Sequence, residues 1–433
     1  MVKKKIYTAL ILLMGSVMSL AGGVGAKPVD ANGLQTLPEY LTYAALHNAG
    51  LKAAFERWRA ALEEIPQARA LPDPRFTYGY FIEEVETRVG PQRQRVGISQ
   101  VFPWFGKIEA RTDAAAAAAR AAQRRYEAKK LQLFYEVKDA FYEYVYLRRA
   151  IDNARENLEL VNRFEELART RYVTAEAQHP DVVWAQIELA TLEDKLATLQ
   201  ELRRPVVARL NAALNRPGGA LPWPRPEEAA IVEVDRTRLF RMLRDRNPRL
   251  QAKQFELESA RSRVELARKR FYPDLGVGID WIQTDEASAP GGSDSGKDPV
   301  ILMFSMNLPL WRKSYGAREL QARAQARQVA NEKDDIENNL VAQVERVLYD
   351  VEDSERKLKL YGDVLVPKAE ELLGASETAY MAGTIDFLGL IDAERTWLRF
   401  QLQRERAWAD RYQRIAELEM LVGAELTRVL PAE

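Results

Sequence analysis

Residues 340–379 read LVAQVERVLYDVEDSERKLKLYGDVLVPKAEELLGASETA, and this stretch decides the fold. Leu340, Val344, Val347, Val351, Ser354, Leu358, Tyr361, Leu365, Lys368, Leu372, Ala375 and Ala379 follow one another in alternating steps of four and three. Most of them are apolar, and a heptad sustained this long predicts a helix packed lengthwise against neighbours in a coiled coil. At a rise of 1.5 Å per residue the rod is about 60 Å long. The expectation is one unbroken helix with one seam, in which Ser354 and Lys368 are the polar entries.

The rod has a twin about two hundred residues earlier. Between Lys107 and Gln178 there is no glycine or proline. A single helix of about 100 Å fits there, with its own seam at Phe134, Val137, Phe141, Tyr144, Leu147, Ile151, Ala154, Leu158 and Val161. Beyond the rods, Tyr172–Asn215 overlays Tyr380–Gly423 at a constant offset of 208, pairing Ala175 with Gly383. The match extends upstream. A helix from Leu37 to Arg69 ends at Pro72-Asp73, and one opening at Asn247-Pro248 ends at Pro273-Asp274. Each stop is followed by period-two alternation, the mark of a strand: Phe76, Tyr78, Tyr80, Ile82, then Val96, Ile98, Phe102; and Leu275, Val277, Ile279, Trp281, then Val300, Leu302, Phe304, Met306, Leu308. The chain is an internal duplication. Its expected parts are a first repeat over 27–219 with a hairpin at 75–102, a proline-rich extended linker at 220–234, and a second repeat over 235–433 with a hairpin at 274–308. His179-Pro180-Asp181 is read as the break between the long helix and one further helix, Val182 to Asn215.

The 433 residues carry 63 basic and 63 acidic side chains and no cysteine. That balance leaves no basic footprint for nucleic acid. Lys3, Lys4 and Lys5, the apolar run Ile6 to Leu20 and Val24-Gly25-Ala26 read as a signal peptide over 1–26, with Lys27 first in the mature chain. No cysteine follows it, so neither a thioether lipid anchor nor disulfides are expected. No later run is long and apolar enough for a membrane helix.

The strands are nevertheless long enough to cross a bilayer if tilted. Four of them cannot close a barrel, and an open sheet would leave unpaired backbone groups in lipid at several kcal/mol each. Three chains would supply twelve strands. The alternative is an exported, soluble coiled-coil scaffold or adaptor without a pore; the aromatic strand residues Phe76, Tyr78, Tyr80, Phe81 and Trp281 weigh against it.

The duplicated layout, the Pro-Asp helix ends, Phe102-Pro103-Trp104-Phe105-Gly106-Lys107, and Tyr380-Met381-Ala382-Gly383 followed by Ile391-Asp392-Ala393 together resemble the TolC-type outer-membrane efflux proteins over essentially the whole mature chain. The resemblance implies a mostly α protomer with a small β part, giving four strands to a shared twelve-stranded barrel in a homotrimer embedded in outer-membrane lipid. Its helices would form a periplasmic tunnel that meets a periplasmic adaptor (membrane fusion) protein and an inner-membrane efflux pump. It also implies a passive conduit, with the heavy-metal cation branch as the nearest kin.

Under that resemblance Asp392 stands where the family carries a constricting acidic ring, and its repeat partner is Trp184, so one set of helices would bear the ring. Asp386 and Asp181 lie near the same level; both suit helix capping, and for Asp181 capping is the preferred reading. Tyr172, Ala175, Tyr380 and Gly383 mark the hairpin tips, the candidate adaptor contacts, where small residues permit a tight turn. Pro103, Trp104, Gly106 and Pro309 are read as a structural swing from strand to helix. His47 and His179 show no metal-ligand spacing. Without a phosphate loop, nucleophile elbow or His/Cys/Asp set, no enzyme and no cofactor is expected.

Overall fold

A computed structural model describes residues 33–225, 231–232, 235–288, 293–426 and 428–429. The signal segment at 1–26 and most of 226–234 lie outside the described residues. Helices α1 (Leu37–His47) and α2 (Ala49–Arg69) lead to strands β1 (Arg75–Tyr80) and β2 (Gln92–Phe102), then to α3 (Lys107–Val173), α4 (His179–Glu201) and α5 (Arg203–Leu214). After a short β3 (Ile231–Val232) the pattern recurs as α6 (Arg236–Arg246), α7 (Pro248–Lys269), β4 (Leu275–Thr284) and β5 (Val300–Met306). It continues through α8 (Arg312–Lys359), a π-helical turn (Leu360–Leu365), α9 (Val366–Met381), α10 (Phe387–Val422) and a last strand β6 (Arg428–Val429).

The 67 residues of α3 form one helix about 100 Å long. Along its length it packs against α2, α7, α4 and α10. The core is strung out in separate clusters because a rod has no single centre. One gathers around Phe141 and Tyr144 of α3, one around Val344 of α8 and Leu418 of α10, and one around Phe164 and Phe387 at the far end.

The second rod departs from the single seam expected of it. From Leu340 to Ser354 the buried seam residues are Leu340, Val344, Val347, Val351 and Ser354, with Leu348 buried beside them; past the π turn the buried residues are Val366, Ala369, Leu373, Ser376 and Tyr380. Leu372 is half exposed and Lys368 is paired with Glu371 in solvent, so neither lies in the seam. A π turn carries one residue more than an α turn and shifts every later position by one. Val366 N–H donates to the carbonyl five residues back, Tyr361 O. Pro367 supplies the reason: it has no N–H for an α-helical bond, and its ring would strike the Asp363 carbonyl.

Two other helices are split where one was expected. Asn48 is extended (φ −61°, ψ 121°) between α1 and α2; its Oδ1 accepts from Leu51 N at 2.9 Å and its Nδ2 donates to Ala213 O at 2.8 Å. Asn247 repeats the device between α6 and α7, capping Leu250 and donating to Leu421 O at 2.6 Å. Between α4 and α5, Pro205 cannot bond to Glu201 O, and the helix breaks at Leu202. His179-Pro180-Asp181 proves to be the first turn of α4, where proline is well tolerated. The 220–234 stretch is fastened down where it is described: Tyr144 Oη donates to Leu221 O at 3.0 Å, Trp223 stacks on Tyr144, and β3 pairs with β6.

The four long strands form one antiparallel sheet in the order β1-β2-β4-β5. Its register sorts the side chains by face. Phe76, Tyr78, Val96, Ile98, Ile279, Trp281, Val300 and Leu302 align across the sheet on one side. Gly97, Ser99, Gly278, Asp280, Met303 and Ser305 align on the other, where Arg95 pairs with Asp280. An apolar, aromatic face opposite a small and polar one is the alternation of a barrel wall between lipid and lumen. Among the described residues, no helix is long and apolar enough to cross a membrane.

Candidate functional site

The far end of the rods, opposite the sheet, is where the duplicated hairpins turn. Ala175 (φ 63°) and Gly383 (φ 73°) are both left-handed. Ala175 N donates to Tyr172 O at 3.1 Å and Glu176 N to Arg171 O at 2.7 Å; Gly383 N donates to Tyr380 O at 3.0 Å and Thr384 N to Ala379 O at 2.9 Å. The two turns are the same motif, built on alanine in one repeat and glycine in the other. A side chain at positive φ costs about 1 kcal/mol. Gly383→Ala is therefore expected to destabilise, and Ala175→Gly to stabilise, by about that amount in thermal unfolding.

The candidates do not share one environment. Tyr172 is exposed and meets His179 edge-on, while Tyr380 is buried against Phe387. Asp386 is the N-cap of α10, accepting from Gly389 N at 2.9 Å, and Asp181 sits in the first turn of α4, accepting from Gln178 N at 3.4 Å. Asp392 is exposed on α10, where its charge acts on Arg395.

Sequence reasoning missed Arg171, which joins the two tips: it donates to Tyr380 O, lies 5.0 Å from the centroid of the Tyr380 ring and pairs with Glu176 at 3.7 Å. It also missed the seam of α10. Phe387, Ile391, Glu394, Leu398, Gln401, Glu405, Trp408, Tyr412, Ile415, Glu419 and Val422 repeat in unbroken steps of four and three, and all are buried except the half-buried Trp408. Its polar members are answered by α3: Gln401 by Asn157 at 3.0 Å, Glu405 by Arg149 at 2.9 Å, Glu419 by Lys138 at 2.5 Å. Glu394 has no such answer. It is 0 % exposed, both carboxylate oxygens lack a partner, and burial followed by the nearby Glu188 pushes its pKa up to about 8. Beside it Glu188, 2 % exposed, accepts from Arg395.

At the other end the swing from strand to helix is built around Asp274. Its Oδ1 accepts from Trp104 N and from Lys107 Nζ, both at 2.8 Å, and Trp104 stacks on Tyr272 with 6° between the rings. Gly106 (φ 75°) caps α3, and a Cβ there would fall 2.4 Å from Lys269 Nζ. Pro103 and Pro309 each follow the last residues of a strand and precede a helix. His47 Nδ1 lies 2.9 Å from Tyr43 O and its ring stacks on Tyr43. Among the described residues no three His, Cys, Asp or Glu side chains gather as a metal site.

A two-faced antiparallel sheet at one end of paired helical hairpins, all of it duplicated, defines an outer-membrane channel subunit with a helical barrel extension. The profile of the family described as "Outer membrane efflux protein" matches residues 41–216 and 239–424, and the chain belongs to that family. The cobalt-zinc-cadmium resistance protein CzcC of Cupriavidus metallidurans is 22% identical over 407 residues, covering 92% of each chain. Among solved structures, the outer-membrane channel OprN superposes with a TM-score of 0.76 at 19% identity, covering 90% of both chains. CusC, described in terms of transmembrane channel formation, gives 0.78 at 14% identity, covering 93% of this chain and 96% of its own. The protein is thus an outer-membrane efflux channel, a conduit and not an enzyme, that acts in a tripartite system with an adaptor and an inner-membrane pump.

Proposed function

We propose that three copies of this chain close one twelve-stranded barrel, and that the resulting tunnel carries heavy-metal cations outward and is opened at its helical tip. The observation behind the trimer is the sheet itself. β1 and β5 are its two edges, each paired on one side within the chain. Their free edges would face lipid if the sheet stayed open, at several kcal/mol for each unpaired backbone group. Pairing β5 of one copy with β1 of the next removes both edges and keeps the apolar face outward all round. The repeats 27–219 and 235–433 then serve as alternate staves of one wall. The cargo rests on the likeness to the cobalt-zinc-cadmium resistance protein over 92% of both chains.

In this reading Asp392 supplies the constricting ring, because it is the candidate carboxylate that stays exposed on α10, whereas Asp181 and Asp386 are taken up by helix starts. Three like charges in a narrow ring attract cations. In planar bilayers Asp392→Ala is expected to lower the cation-over-anion preference about fivefold, the equivalent of about 1 kcal/mol of lost attraction. Unchanged conductance and selectivity would remove Asp392 from the gate. Tyr172, Ala175 and Gly383 present the adaptor-facing end, whereas Tyr380, expected beside them, is buried against Phe387 and supports the turn from within. For the cargo, deletion of the gene should abolish tolerance to cobalt, zinc or cadmium and leave drug tolerance intact; the opposite pattern rejects metals.

A further inference from the structure

We propose that Glu394 is a second gating residue, one that holds the tip closed by keeping a proton and releases that proton when α4 and α10 part. The inference rests on the reading that the channel opens at its tip. It departs from the exposed ring, because Glu394 faces the protein interior and touches neither lumen nor solvent in this state.

The observation is one of contrast along a single seam. Of the four polar side chains in the α10 heptad, Gln401, Glu405 and Glu419 each meet a complementary group on α3. Glu394 alone has two carboxylate oxygens with no hydrogen-bond partner, at 0 % exposure. An ionised carboxylate in such a place would cost far more than a coiled coil gains from one contact, so the group stays neutral while the seam is shut.

The surrounding charges do not change this. From α4, Glu188 repels a negative charge at Glu394 and Lys195 attracts one; from α10 itself, Arg395 attracts one but is engaged by Glu188. α3 contributes Arg171, bound to Tyr380 O and Glu176, and α9 contributes Tyr380, whose phenol burial keeps neutral. Asp392 is two residues away on α10 but exposed. Lys195 is the unengaged cation of this set, but it lies exposed on α4 and makes no hydrogen bond to Glu394, so its pull is weakened by solvent and does not replace a bonded partner.

Opening changes the balance. If α4 swings from α10, water reaches Glu394 and its pKa falls back toward that of an ordinary glutamate. The closed state then binds one proton per chain that the open state does not. A carboxyl raised in the closed state favours closure at low pH and loses that advantage as pH climbs. The ratio of open to closed should rise about tenfold per pH unit for each coupled Glu394 between about pH 5 and about pH 8, then level off.

Single-channel recording on purified protein in planar bilayers, from pH 5 to pH 9, tests this. Wild type should show an open probability that climbs steeply with pH, whereas Glu394→Gln, which mimics the protonated form at every pH, should lose that slope. Glu394→Leu should be equally flat and covers the case in which the amide disturbs folding. Infrared difference spectra should show a protonated-carboxyl band near neutral pH that vanishes in both variants. Asp392→Asn separates the two gating ideas: it should alter unitary conductance and selectivity and keep the pH slope. An undiminished slope in Glu394→Gln, or a wild-type carboxyl band absent at pH 6, would overturn the proposal even with the Asp392 ring intact.

Discussion

Lys138→Met is expected to destabilise the protein by about 3–5 kcal/mol, the usual cost of removing one member of a buried ion pair. Lys138 and Glu419 are each 6 % exposed, and Nζ lies 2.5 Å from Glu419 Oε2. With the ammonium gone, Glu419 keeps only Leu426 N, which donates to Oε1 at 3.1 Å. Its charge would then be buried and uncompensated. The double variant Lys138→Met, Glu419→Gln removes both charges and retains an acceptor for Leu426, so it should recover most of the loss. Urea titration in detergent, followed by tryptophan fluorescence, measures both. A loss under about 1 kcal/mol for the single variant would show that the pair is hydrated in solution.

The same pair bears on how the halves stay in register. Lys138 belongs to the first repeat and Glu419 to the second, as do Arg149 with Glu405 and Asn157 with Gln401. Polar partners buried in an apolar seam penalise axial slippage, because a shift by one turn leaves each of them unmatched. These matched pairs run from the middle of α3 toward the tip and stop before Glu394. Beyond that point the repeats are joined by Glu188 with Arg395 and by Arg171 with the Tyr380 carbonyl. The part of the wall proposed to move is the part where the locked polar register ends.

Much of this architecture is legible in the chain because its signals are local. Period-two alternation placed all four membrane strands, and the absence of glycine and proline between Lys107 and Gln178 foretold a helix that ends at Val173. The duplication follows from a gapless offset at the tips. What escaped notice depends on contacts. Glu394, Glu405 and Glu419 look like a solvated helix face until their shared heptad is counted, since a charged residue at a seam position says nothing about its partner. Arg171 has no motif at all; only the packed tips show that it reaches across to Tyr380. The breaks at Asn48 and Pro205 and the π turn before Pro367 were read through as continuous helix, because a longer apolar pattern runs across each of them.

Pro367 leads to the sharpest test of the second rod. Leu358 and Val366 both lie toward the seam, yet they are eight positions apart, one more than a heptad, and the π turn at Leu360–Leu365 absorbs the difference. Deleting Gly362 makes that spacing seven, so the same residues, Val366, Ala369, Leu373 and Tyr380, could continue the seam through a regular α-helix. Pro367 would then sit in a helix interior with its ring against the Asp363 carbonyl, at about 3 kcal/mol. The deletion alone is therefore expected to cost about 3 kcal/mol. Combined with Pro367→Ala it should return to within about 1 kcal/mol of the parent, while Pro367→Ala alone should lose less than about 1 kcal/mol through the unfolded chain. Deleting Asn162 from α3, which has no π turn to absorb it, is the control: the helix beyond rotates by about 100° and carries Phe164 and Ala168 out of the core. That loss should exceed about 3 kcal/mol on the Phe164 side chain alone. If the double variant is as unstable as the single deletion, the π turn is required by the tip itself and not by the proline.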